Sequence, residues 1–162
     1  MNGPFPRMPL PQELAYEFIG IFARCEYALK STDFARGGEV SVEANWDKFA
    51  TSIDESFRRV PAQPFMDAVH YLLTEPPRKQ VLREGRVDWN NSPPDVNLPD
   101  AQKVLLMVRR VRNNLFHGAK IWSPEYDNRE RDIKLVEASL CVLKHVVELN
   151  TNVNIAFAVG AF

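Results

Sequence analysis

A guanidinium, a carboxamide and an imidazole stand close together in the run Arg112-Asn113-Asn114-Leu115-Phe116-His117. An imidazole titrates near neutrality and can take or return a proton. A guanidinium can hold a phosphate through two parallel hydrogen bonds and stabilise charge as it develops. An asparagine beside it can orient either the histidine or a substrate. In RNA the 2′-hydroxyl lies next to the scissile phosphate, and removing its proton creates an internal nucleophile. That reaction needs no metal and no covalent enzyme intermediate. The same residues also have a plainer reading. His117 can bond the last carbonyls of a helix and favour its dipole, and Arg112 can be an amphipathic edge residue whose stem covers apolar surface.

The surroundings along the chain are basic. Between Ala101 and Pro124 there is no acidic residue, while Lys103, Arg109, Arg110, Arg112 and Lys120 all fall there. Arg109, Arg110 and Lys120 are therefore candidate substrate contacts. The net charge of the whole chain is only −1, so any positive field must come from local arrangement.

The elements that must position these groups are helices. Asp100 to His117 reads as one helix, with Asp100 as N-cap and Gly118 at the place of a C-terminal cap. Val104, Val108, Val111 and Leu115 trace its core stripe. Arg109, Asn113 and His117 are spaced i, i+4, i+8 and share a face, while Arg112 falls on the margin of the apolar face. Before it, residues 11 to 31, Ser41 to Phe57 and Pro64 to Leu73 repeat apolar residues every three or four positions. Gly37-Gly38 and Pro76-Pro77 punctuate these runs. After it, Arg131 to Leu149 reads as the fifth helix. Residues 1 to 10 are a proline-rich arm. Residues 78 to 99 are read as irregular and proline-rich, with a short helix conceivable at Arg78 to Arg83 and a hairpin left open. Residues 150 to 162 are an uncharged tail, in which Ile155, Phe157, Val159 and Phe162 need a surface to cover them. The expected fold is thus all-α, a single domain spanning residues 1 to 162, built as a bundle of about five helices.

Arg112, then Asn-Asn-Leu-Phe, then His117 resembles the Arg-x4-His signature of the HEPN superfamily, with Asn113 as the polar residue directly after the arginine. The position late in the chain, near the end of a long helix with another following, is also similar. The resemblance covers about residues 11 to 149, though the fingerprint itself covers only residues 112 to 118. It implies a metal-independent endoribonuclease of toxin or phage-defence type that leaves a 2′,3′-cyclic phosphate. It implies no cofactor, and a homodimer with two motifs facing one cleft. His117 would act as acid and base, Arg112 would bind and polarise the phosphate, and Asn113 would position one of them. An antitoxin or nucleotidyltransferase partner is implied for some members. One branch carries a modifiable tyrosine two residues after the histidine; Ala119 stands there in this chain, which puts that regulation in doubt. The rival expectation is a non-catalytic HEPN-like module that binds a partner protein or nucleic acid.

The remaining chemistry-bearing residues read as structural. Cys25 and Cys141 sit in helix interiors, as small buried hydrophobes. His70 and His145 lack metal-ligand spacing with cysteine or acidic partners. Gly37-Gly38 lacks the Lys-Ser/Thr of a phosphate loop. Trp46, Phe49 and Phe57 read as core, and Trp89 and Trp122 as the more exposed aromatics. No uncharged run reaches the roughly 20 residues of a membrane span, and no basic-then-apolar leader opens the sequence. The expected setting is a reducing cytoplasm. The dimer is expected to form through the fourth-helix face, with the tail either joining it or folding back over its own bundle.

Overall fold

The computed structural model describes residues 10–116 and 128–159. Their order is α1 (Gln12–Lys30), β1 (Ala35–Gly37), β2 (Val42–Ala44), α2 (Trp46–Phe57), α3 (Gln63–Thr74), β3 (Lys79–Arg83), β4 (Arg86–Asn90), α4 (Asp100–Phe116), α5 (Arg129–Val146), a 3-10 turn (Val147–Leu149) and α6 (Thr151–Val159). The helical periods are visible in what each helix buries. α1 turns Ala15, Phe18, Phe22, Cys25 and Leu29 inward, and α2 turns Trp46, Phe49, Ile53 and Phe57. α2 begins where Asn45 accepts a hydrogen bond from the Lys48 amide at 3.1 Å. α3 carries Pro64 in its first turn. Phe18, Phe49, Leu29, Ile53, Leu72 and Leu105 are among the fully buried side chains, each contributing about 1.5–3 kcal/mol by leaving water. One apolar cluster runs from Leu10 to Val153.

The expected all-α class is corrected by two antiparallel hairpins, each a separate two-stranded sheet. The first pairs Ala35 with Ala44 and Gly37 with Val42. It takes the start of the segment read as the second helix, which begins only at Trp46. The second occupies the segment read as irregular, and pairs Lys79 with Asn90 and Arg83 with Arg86. Its turn residues Glu84 and Gly85 both have positive φ, 50° and 74°. That is the conformation whose twist matches two flanking strands. Six helices rather than five are present among the described residues, because the uncharged tail is itself helical from Thr151.

α6 lies on α1. Val153 is buried and Phe157 is partly so. The Arg24 guanidinium stacks over the Phe157 ring at 4.6 Å and donates to the Phe157 carbonyl at 2.6 Å. Of the two expectations for the tail, folding back over its own bundle is the one seen over this stretch. The arm at residues 1 to 9 and the last three residues lie outside the described residues. Among the described residues no helix is long and apolar enough to cross a membrane.

Candidate functional site

α4 places the motif. It buries Val104, Met107, Val108, Val111 and Leu115 against the core. Its N-terminal end is satisfied from another helix, since the Ala101 amide donates to the Asp54 carboxylate of α2 at 3.0 Å. An anion at that position also complements the helix dipole. Asp100, expected to be the cap, is instead the first helical residue and pairs with Lys103 at 2.7 Å.

The polar side of α4 divides into two rows of i, i+4 neighbours and one outlier. Arg110 and Asn114 form the first row, and both are used as clamps. Arg110 Nη1 donates to the carbonyls of Pro77 at 3.1 Å and Ser92 at 2.5 Å. Asn114 is buried and donates to the Arg78 carbonyl at 2.7 Å. These carbonyls flank the β3–β4 hairpin, so the row fastens both ends of the hairpin to α4. Half-burial draws the Arg110 pKa down from its usual value, and the carbonyls receive the charge.

Arg109 and Asn113 form the second row and point outward, as the i, i+4 spacing requires. Arg112 lies to one side. Its guanidinium sits over the Phe22 ring of α1 at 5.4 Å, and Nη1 donates to Asn113 Oδ1 at 3.0 Å. The margin position read from the sequence is therefore occupied by a half-buried arginine on an aromatic face. Arg112 and Asn113 touch each other, which their adjacency along the chain does not guarantee.

The Arg109–Asn113 row is a ridge between two clefts. One, of about 230 Å³, lies between α1, β2 and α4 and holds Arg109, Arg112 and Asn113 together with Glu26 and Glu43. Asp47 of α2 reaches Arg109 at 3.5 Å. The acid-free stretch of sequence is thus not acid-free in space. The other, of about 330 Å³, lies between α4 and the β3–β4 hairpin and is lined by Lys79, Gln80, Leu106, Arg109, Arg110, Asn113 and Asn114, with no carboxylate among them. Lys79 makes no ion pair among the described residues. Neither Lys79 nor the buried role of Asn114 was found by reading the sequence. The available signal was Glu84-Gly85 between apolar strand formers, which marks a two-residue hairpin turn.

The structure brings Arg109, Arg110, Arg112 and Asn113 onto one helix. His117 and Lys120 lie outside the described residues, as do Gly118, Ala119, Trp122 and Tyr126. α4 is followed as far as Phe116, whose ring lies 6.2 Å from that of Phe18. His70 is exposed, and His145 is half-buried, with Nδ1 2.7 Å from the Cys141 carbonyl and its ring beside Phe65. Trp89 is half-buried. Burial pushes the Cys25 thiol up to about 12 and raises that of Cys141 as well, so both are poor nucleophiles. The chain matches no family model, no curated protein and no solved structure.

The outer face of α4 is polar, since its apolar residues are spent in the chain's own core. The exposed apolar side chains lie elsewhere, among them Tyr16, Ile19 and Tyr27 on α1 and Ile155 and Val159 on α6.

Proposed function

We propose that this chain is a HEPN-type, metal-independent endoribonuclease of toxin or defence type, working as a two-fold pair. The observation that carries the reading is Arg112 bonded to Asn113 at the lip of an open cleft, in the last turn and a half of α4. In this reading Arg112 and Arg109 hold the scissile phosphate. Asn113 fixes the Arg112 guanidinium in place. His117 takes the proton of the 2′-hydroxyl, and the freed oxygen attacks phosphorus. The 5′-oxygen leaves with a proton returned by an imidazole. The products are a 2′,3′-cyclic phosphate and a 5′-hydroxyl. Incubation of the protein with mixed RNAs in excess chelator, with mapping of the ends, tests it. Cyclic phosphate ends that vanish in His117→Ala and Arg112→Ala are the expected result. Ends bearing a 3′-hydroxyl, or cleavage abolished by the chelator, would overturn the reading.

A second reading is favoured by Glu26, Glu43 and Asp47 around the same arginines. Carboxylates beside a phosphate-binding guanidinium weaken the field that an RNA backbone needs. This reading makes the chain a non-catalytic helical module of the same shape, binding a partner protein or nucleic acid. Its signature is a biological effect that survives His117→Ala and Arg112→Ala while the fold is intact.

A further inference from the structure

Arginine, lysine, asparagine and glutamine are side chains that bond phosphate oxygens, and the cleft between α4 and the β3–β4 hairpin is built from them. Lys79, Gln80, Arg109, Arg110, Asn113 and Asn114 stand around it. Arg110 is half-buried, and its partners are two carbonyls rather than a carboxylate. Carbonyls solvate a guanidinium but carry no net charge, so the positive charge is left whole at the cleft wall. Lys79 is exposed and pairs with no carboxylate among the described residues.

Asn113 adds a donor whose direction is fixed. An arginine has hydrogens to give and no lone pair to accept with. The Asn113 atom that faces Arg112 Nη1 at 3.0 Å is therefore Oδ1. The amide nitrogen is turned away from Arg112, and its two hydrogens bond no described residue. Asn113 is exposed and borders both clefts. A strand crossing the ridge from the Arg112 side meets this amide first and the hairpin cleft next. On the α1 side the same ridge meets Glu26 and Glu43, which turn the rest of a polyanion toward the hairpin.

The cationic lining continues along the hairpin. Side chains alternate between the two faces of a strand, and residues directly opposite in register share a face. Lys79 and Arg83 therefore lie on one face of β3, and Arg86, the register partner of Arg83, joins them from β4. Two arginines directly opposite each other repel. Asp88 of the same face takes Arg83 at 2.6 Å. Arg86 stays exposed, without an ion pair to a described residue. The face thus keeps an excess of positive charge beyond the cleft.

We propose that this track binds the phosphate backbone of a single-stranded RNA. The strand crosses the ridge at Arg109 and Asn113, enters the cleft beside Lys79 and Arg110, and leaves along the hairpin face of Arg83 and Arg86. A space of about 330 Å³ between a helix and a hairpin admits one backbone and not a duplex. The inference deepens the ribonuclease reading and rests on it for the identity of the strand, yet its test uses a strand that cannot be cleaved. The full chain is titrated with a short 2′-O-methyl oligouridylate across a salt series. Lys79→Gln and Arg86→Gln, both at exposed positions, are each expected to weaken binding about three- to tenfold. Each is also expected to flatten the slope of log K against log salt by about 0.7. Lys79→Arg keeps the wild-type affinity. Arg59→Gln, the same charge change at an exposed position just after α2, leaves affinity and slope unchanged. Wild-type protein that fails to bind the oligonucleotide overturns the proposal, and so does an Arg59→Gln effect as large as that of the hairpin variants. A duplex of the same sequence that binds as tightly, or an oligoglutamate of equal charge that competes as well, equally sinks it. Should one hairpin variant lose its helical circular dichroism, the other decides. Cleavage of unmodified RNA is scored separately. Binding with these signatures and no cleavage refutes the ribonuclease and leaves the track standing, whereas cleavage by a protein whose hairpin variants bind like wild type refutes the track alone.

Discussion

The two clefts flanking the Arg109–Asn113 ridge share residues but are walled in different ways. The wall toward α1 is held by burial: Phe22 packs 5.3 Å from the Trp46 ring, and both are within the core. The wall toward the hairpin is held by side-chain amide and guanidinium bonds to backbone carbonyls at Pro77, Arg78 and Ser92. Their charges differ too. The first contains Glu26 and Glu43 beside its arginines, while the second is lined by cations and amides without a carboxylate. An apolar wall is rigid because removing it leaves a cavity, whereas a polar clamp can open locally while the rest of the fold persists. The cleft with the stronger positive lining is therefore the one with the more easily displaced wall.

Phe22→Ala should test the first wall with the largest effect. The cavity and the lost packing should cost about 3–5 kcal/mol, measured by urea unfolding. Cys25 reports on the same wall. Its thiol is raised from 9.0 to about 12 by burial, so at pH 8 it stays protonated and alkylates slowly in the native protein. In Phe22→Ala, alkylation should accelerate with the loss of stability. Between pH 9 and pH 12 the unfolded thiol ionises before the folded one, so this group's contribution to stability falls as pH rises through that window.

Arg110→Met should act on the other wall. It removes both carbonyl contacts and should cost about 1–3 kcal/mol. Hydrogen exchange should locate that loss in residues 79 to 90, with Cys25 alkylation at pH 8 unchanged. Equal loss of protection across α1 and the hairpin would erase the distinction between the walls.

The charge difference should produce the smallest effect. Binding of a single-stranded oligonucleotide should weaken about three- to tenfold in Lys79→Glu, with a flatter salt dependence. Glu43→Gln, on the opposite side of the ridge, should strengthen it about twofold. If Lys79→Glu has no effect and Glu43→Gln dominates, the anion path runs along α1 instead.

Much of this was legible along the chain. The helices at residues 12 to 30, 63 to 74 and 100 to 116 carry their periods openly, and Trp46, Phe49 and Phe57 are core as their spacing implied. The first hairpin was not legible, and the second only at its Glu84-Gly85 turn. Val42–Ala44 is three residues long, and Lys79–Arg83 has no clean alternation. Such short strands register only through a partner, as when Gln80 meets Trp89.

The sequence by itself determined which residues α4 shows on each side, because a 3.6-residue turn puts Arg109 with Asn113 and Arg110 with Asn114 whatever surrounds them. It also determined that Arg112 would stand at the apolar margin. Only the tertiary structure decided what each row meets. Asn113 and Asn114 are adjacent and chemically identical, yet one is exposed and one is buried on a carbonyl, because the hairpin returns to one side of the helix only. Likewise, Asp47, Glu26 and Glu43 lie more than 60 residues before Arg109 and Arg112 along the chain but stand beside them in space. Charge acts through space, and a local run without acids sets no field until the fold has chosen its neighbours.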